Sequence, residues 1–303
     1  MKIKHYVYTN KGLKHSNRIA IFSQNGHLHK IIKLKLRPFF TVTLHPYLYK
    51  PPVSELRIKM KLDLLAFGVH PDDIELSCAG TLLVEKSRGK KVGIIDLTRG
   101  ELGTRGTPEA REEEAENSAK ILGTDVRENL DMADAFFKNN EENQRKIITA
   151  LRKYQPEIIL CNAPDDRHPD HGRSAKLVAD AAFLSGLRKI ETFVGSEKQE
   201  VWKPKYVFNY IQDVYITPSF VIDISEVIEQ KVKAIKAFKT QFFSAGQNDS
   251  EPQTYISTPE FLESVINRSK MFGKMIGVKH AEGFISKKMI GINSFDALIQ
   301  NVT

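Results

Sequence analysis

The chain has 303 residues, 41% of them hydrophobic, 27% charged and 9% aromatic, with a formal net charge of +8. Its length allows one large domain or two small ones, and its composition, with no run of eighteen apolar residues, excludes a membrane span, a coiled-coil rod and a wholly disordered chain. Two cysteines, Cys78 and Cys161, are too few for a disulfide framework; without a secretory signal pattern they suit a reducing cytoplasm.

The positive charge is concentrated at one end. Residues 1–60 hold 12 of the 45 lysines and arginines but one of the 37 acids, Glu55, which leaves 61–303 with 33 bases against 36 acids. The basic segment also carries His5, His15, His27, His29 and His45 and four prolines, and has no sustained period after Ile32. The expected division is therefore 1–59, a basic extension that is poorly ordered or a translated leader with Met60 as initiator, and 60–303, the folded domain. A basic arm also admits a nucleic-acid or anionic-surface binder, a role for which the mildly acidic body offers no second surface.

From Met60 strands and helices take turns. The pattern predicts strands over 61–69, 91–97, 127–130 and 157–161 and helices over 74–87, 107–122, 141–153 and 172–184. Thr107-Pro108-Glu109 supplies a capping hydroxyl, a proline at the first helical position and an early acid. Strands over 206–211 and 220–224 and helices over 225–242 and 259–276 complete the same domain, with Lys231 and Lys239 on the solvated face of an amphipathic helix. The expected fold is a single α/β domain, Rossmann-like, its mostly parallel sheet covered by helices on both faces.

Ligands of such sheets bind beyond the carboxyl ends of the strands, and two polar clusters fall there. His70-Pro71-Asp72-Asp73 closes the first strand, and Asp165-Asp166-Arg167-His168-Pro169-Asp170-His171 follows the strand that ends at Cys161. A His-Pro-Asp turn alone can be a helix cap, but both clusters together supply what zinc wants: two or three histidines, a carboxylate and an open position. His70, one of Asp72 or Asp73, and His168 or His171 converge if these two strands are neighbours. One carboxylate is then left to act as general base. The same donors suit Fe(II).

His70-Pro71-Asp72-Asp73 with Ile74-Glu75 and Ala79-Gly80-Thr81, followed by Arg167-His168-Pro169-Asp170-His171, resembles the LmbE-like (PIG-L type) zinc-dependent N-deacetylases. The segments 96–107, 162–164, 184–189 and 281–284 resemble, more narrowly, the bacillithiol-biosynthesis deacetylases; the resemblance runs from about Met60 to the C-terminus. It implies that His70, Asp73 and His171 ligate zinc, that Asp72 is the general base, and that His168, protonated and with Asp170 oriented toward it, stabilises the oxyanion. It implies an N-acetylglucosaminyl conjugate as substrate, N-acetylglucosaminyl L-malate above all, and a trimeric or hexameric assembly. Arg111 matches a position that contacts substrate; Arg99 and Arg105 on the preceding loop are weaker candidates for binding a dicarboxylate. Some relatives carry a tyrosine where this chain has Phe261. His280 reads as a surface or capping histidine, and Cys78 and Cys161 as inert core thiols.

Overall fold

The computed structural model describes residues 18–22, 28–33, 60–243 and 251–298. The chain divides into two compact units, Met1–Glu55 and Leu56–Thr303, a boundary a few residues before Met60. In the first unit β1 (Arg18–Phe22) pairs antiparallel with β2 (Leu28–Lys33). The four prolines of the basic extension lie outside the described residues.

The second unit runs β3 (Leu64–Gly68), α1 (Asp73–Ser77), α2 (Ala79–Ser87), β4 (Val92–Asp96), α3 (Pro108–Leu122), β5 (Val126–Asn129), α4 (Glu141–Tyr154), β6 (Ile158–Cys161) and α5 (Pro169–Leu184). After a small hairpin, β7 (Phe193–Val194) and β8 (Glu197–Lys198), come β9 (Tyr206–Tyr210), β10 (Phe220–Asp223), α6 (Ile228–Ile235), α7 (Pro259–Ile276) and β11 (Ala281–Ser286). The sheet order is β10-β11-β9-β6-β3-β4-β5. β9, β6, β3, β4 and β5 are parallel, and β11 and β10 add an antiparallel edge. β3 reads as an unbroken apolar run because both of its faces are covered. Leu65 and Phe67 pack with Ile159, Leu151 and Leu177 on one side, and Ala66 packs with Ile94, Leu82 and Tyr210 on the other. No helix among the described residues is long and apolar enough to cross a membrane.

The chain winds outward from β3 through β4 to β5, then returns to β6 on the other flank of β3. The loops after β3 and β6 therefore diverge at the switch point of the sheet, where a crevice is unavoidable. That juxtaposition brings the two polar clusters together.

Three helices differ from the sequence expectation. The helix expected over 74–87 breaks at Cys78. The break exposes amide groups at the start of α2, and the buried Glu282 carboxylate from β11 accepts from Gly80 N, Thr81 N and Thr81 Oγ1. Lys231 Nζ donates to the same carboxylate at 2.6 Å. Lys231 is thus buried, not on a solvated face, and its helix ends at Ile235 instead of 242. A Cβ on Gly80 would meet Ile224 at 2.8 Å and Glu282 Oε1 at 2.9 Å. Gly80→Ala is therefore expected to lower stability by about 1–3 kcal/mol in urea titration, despite alanine's better helix propensity; an unchanged midpoint would show that Glu282 yields without cost.

The third difference concerns α5, which starts at Pro169 and not at 172, because proline is preorganised for the first helical position and His168 Nδ1 caps the turn by accepting from Asp170 N at 3.3 Å. β11 and the β7–β8 hairpin were not expected as strands at all.

Candidate active site

Asp73 is the hub of the crevice. Its Oδ2 accepts from Val69 N at 2.9 Å, His70 N at 3.0 Å and Asn162 Nδ2 at 2.9 Å, and its Oδ1 accepts from Gln212 Nε2 at 3.2 Å. Asn162 and Gln212 lie just beyond β6 and β9, so residues following three neighbouring strands fix one carboxylate. His171 Nε2 lies 3.1 Å from Oδ1 and His70 Nδ1 3.8 Å from Oδ2. Burial works to raise the Asp73 pKa, but His171 and His70 hold it well below the usual carboxylate range.

The far nitrogen of each histidine has a carboxylate behind it. His70 Nε2 is 3.0 Å from Asp134 Oδ1, and His171 Nδ1 is 2.5 Å from Asp166 Oδ2. Asp166 Oδ1 is pinned in turn by Asp213 N and Val214 N. This carboxylate backing orients an imidazole and raises its basicity in metal sites. Burial lowers both histidine pKa values, yet the surrounding carboxylates prevail, lifting His70 to about 10 and His171 to about 9. Among the described residues two sets of donor atoms lie within 4.8 Å of one another and could hold a metal ion: His70 with His168 and His171, and His70 with Asp134 and Asp170. Asp73 sits against two of those three histidines, so the expected donors His70, Asp73 and His171 share one pocket wall.

Asp72 faces the same space from a backbone that L-residues rarely adopt, φ 137°, a conformation that costs about 1–3 kcal/mol. Burial pushes its carboxyl up to about 7, against the pull of Arg111. Arg111 donates to Asp72 Oδ2 at 3.1 Å, Pro71 O at 2.9 Å and Gly100 O at 3.3 Å. The Arg111 guanidinium passes so close beneath Gly100 (φ +64°) that a Cβ there would lie 1.9 Å from Nη1. Arg111 thus positions Asp72 while lining the same cavity.

The other two candidate arginines take different places. Arg99 lies outside the main cavity; it pairs with Asp131 at 3.0 Å and lines a separate space of about 100 Å³. Arg105 reaches the main cavity but is buried, its Nε donating to Thr240 O at 2.8 Å and its Nη1 to Pro252 O at 3.0 Å. It ties the 99–106 loop to the segment before α7.

His168 lines the cavity, 4.8 Å from the His70 ring and 5.3 Å from the His171 ring. Burial and its two histidine neighbours lower its pKa. With Nδ1 accepting from Asp170 N, the neutral ring carries its proton on Nε2. Nε2 is then the nitrogen left to donate. The Asp170 carboxylate accepts from Arg173 Nη1 at 2.7 Å and Ala135 N at 3.0 Å and lies 3.8 Å from His70 Nε2.

The cavity has a volume of about 340 Å³, and its far wall comes from the C-terminal half: Tyr255, Ile256, Phe261, Val265 and Arg268. Sequence reasoning assigned no role to Asp134, Gln212, Tyr255 or Arg268. Asp134 and Gln212 follow the ends of β5 and β9 and could have been found by position; nothing in the local pattern marks Tyr255 or Arg268. His280 lies apart from the cluster, against Ser269 Oγ at 2.9 Å. Burial pushes the Cys161 thiol up to about 12, which leaves it inert.

Residues 65–182 match the family model PIG-L, described as GlcNAc-PI de-N-acetylase. The chain is 28% identical over 233 residues to the diacetylchitobiose deacetylase of Thermococcus kodakarensis, covering 73% of this chain and 81% of that one. It is 26% identical over 199 residues to a probable N-acetyl-alpha-D-glucosaminyl L-malate deacetylase of Bacillus anthracis, covering 61% and 84%. The crystal structure of a conserved protein from Thermus thermophilus superposes with a TM-score of 0.67 at 35% identity, over 77% of this chain and 98% of that one. With both halves of the histidine–aspartate signature gathered at one switch point and these relatives spanning the same fold, the chain belongs to the PIG-L family of de-N-acetylases, hydrolases of amide bonds.

Proposed function

We propose that this protein removes the acetyl group from an N-acetylglucosamine conjugate, that the conjugate is N-acetylglucosaminyl L-malate on the route to bacillithiol, and that the work is done in the cytoplasm with one zinc ion. The observation that carries the reading is the buried Asp72 carboxyl, poised near neutrality beside an oriented His70–Asp73–His171 donor set. Two imidazoles backed by carboxylates and a third carboxylate held by backbone amides fit a divalent metal, with His168 left over. When bound, the ion polarises the amide oxygen and acidifies water.

The chain's own residues supply the rest. Asp72 takes the proton of the attacking water, with Arg111 fixing its Oδ2, and returns it to the leaving amine. His168 Nε2–H stands as the donor for the oxyanion that develops on the carbonyl, and Asp170 sets the His168 tautomer through its backbone N–H. The apolar wall of Leu76, Ile256, Phe261 and Val265 keeps the local dielectric low, which strengthens each of these interactions.

Acetate release tests the reading. The full chain is chelated, reloaded with zinc and offered N-acetylglucosaminyl L-malate, diacetylchitobiose and free N-acetylglucosamine. Release is expected only after reloading, with the malate conjugate the best substrate. Release from none of the three by zinc-loaded protein would sink the reading, and a preference for diacetylchitobiose would sink the malate assignment.

A further inference from the structure

Four arginines line the cavity: Arg105, Arg111, Arg167 and Arg268. Arg111 is paired with Asp72, Arg105 lies near Glu251 at 3.9 Å and donates to backbone carbonyls, and Arg167 pairs with Asp213 at 3.2 Å. Arg268 differs. Its Nη2 donates to Leu76 O at 3.0 Å, and no carboxylate among the described residues stands within ion-pair distance of it. The acids that face it are already engaged: Asp166 holds His171 and two backbone amides, and Asp213 holds Arg167 and the Tyr255 hydroxyl at 3.0 Å. Burial outweighs their attraction and lowers the Arg268 pKa.

Its placement is as specific as its lack of an acidic partner among the described residues. Phe261, Val265 and Arg268 stand at i, i+4 and i+7 on α7, so one helical stripe carries two apolar groups and one cation to the cavity. Leu76, which Arg268 touches, is bonded through its own amide to Asp72 O at 3.0 Å. Arg268 therefore meets α1 at the residue whose amide closes the first turn onto Asp72, the proposed base. Arg268 is half-buried beside these apolar groups, and its planar fork suits a carboxylate.

We propose that Arg268 is the anion-recognising residue of this cavity, and that the substrate carries a carboxylate on the group beyond the sugar. The inference rests on the deacetylase reading and narrows it to acidic conjugates, in which a neutral disaccharide would leave Arg268 unmet.

The test uses the full zinc-loaded chain, Arg268→Gln, Arg268→Lys and, as a control far from the cavity, Arg145→Gln. Gln can keep a hydrogen bond to Leu76 O while losing the charge. With N-acetylglucosaminyl L-malate, Arg268→Gln is expected to lower kcat/KM by about 30- to 300-fold, chiefly through KM, whereas activity on diacetylchitobiose changes less than about threefold. Arg268→Lys, which keeps a charge without the fork, should fall between Gln and wild type. An equal loss on both substrates, or none on either, overturns the proposal. Titration calorimetry with L-malate alone needs no turnover: wild type and Arg145→Gln should bind it and Arg268→Gln should bind at least tenfold more weakly. If no substrate turns over, the deacetylase reading fails, and equal malate binding by wild type and Arg268→Gln would overturn the role of Arg268 separately.

Discussion

Asp72→Asn is expected to lower kcat/KM for acetate release by about 10²–10⁴-fold, the usual worth of a positioned general base, while zinc content stays at the wild-type level. The amide is isosteric and its oxygen can still accept from Arg111 Nη2, so the hydrogen bond at 3.1 Å survives and the guanidinium is not abandoned in the interior. What is lost is the ability to take a proton. Three features concentrate that ability in Asp72 and not in its neighbour. Burial lifts the Asp72 carboxyl to about 7, whereas His171 and His70 hold Asp73 far below that, so near neutral pH Asp72 alone of the pair exchanges a proton readily. The strained φ of 137° aims it away from the helix that Asp73 begins. Arg111 locks the resulting rotamer. A variant within tenfold of wild type would remove Asp72 from the chemistry.

The largest loss of stability is expected at Arg127, outside the cavity. Its Nε and Nη2 clasp Asp96 in bidentate fashion at 2.7 and 3.0 Å, and Nη1 donates to Glu75 Oε1 at 2.6 Å. Glu75 is fully buried, and its Oε2 has no hydrogen-bond partner. Arg127→Met leaves two buried carboxylates facing one another without a counter-charge, so the expected cost is about 3–5 kcal/mol in the urea midpoint at unchanged slope. Arg127→Lys should recover only part, because an ammonium cannot serve both acids with a planar fork. Glu75 stands two residues after Asp73, so the same change loosens α1 beneath the site. A loss under about 1 kcal/mol would mean that the carboxylates take up protons at little cost.

The parallel half of the fold was legible because its signals are local. Apolar runs bounded by turn residues, and Thr107-Pro108 opening α3, do not depend on what lies across the sheet. Both clusters were legible for a related reason: chemistry-bearing residues after an apolar strand can only stand at its carboxyl end, and the neighbouring of β3 and β6 then brings them together. Less was legible where a distant residue decides. The break at Cys78 is stabilised by Glu282, some two hundred positions on, and Lys231 looks like a solvated lysine until that carboxylate is placed beside it. The arginines illustrate the limit most directly. Arg111 was marked by resemblance and Arg99 and Arg105 by their place on the preceding loop; Arg111 and Arg105 line the cavity but are bonded to backbone carbonyls, Arg99 looks into another space, and Arg268, marked by nothing, stands in the cavity.

The claim on which the rest depends is that His70, Asp73 and His171, and not the three clustered histidines, hold the ion beside Asp72. X-ray absorption at the zinc edge of the reloaded full chain, beside His168→Ala, tests it most directly, since imidazole scattering counts the histidines bound. Two imidazoles are expected, with the remaining ligands oxygen at about 2.0–2.2 Å, one zinc per chain, and an unchanged spectrum in His168→Ala. Three imidazoles in the wild type, falling to two when His168 is replaced, would contradict it and make His168 a ligand instead of the oxyanion donor.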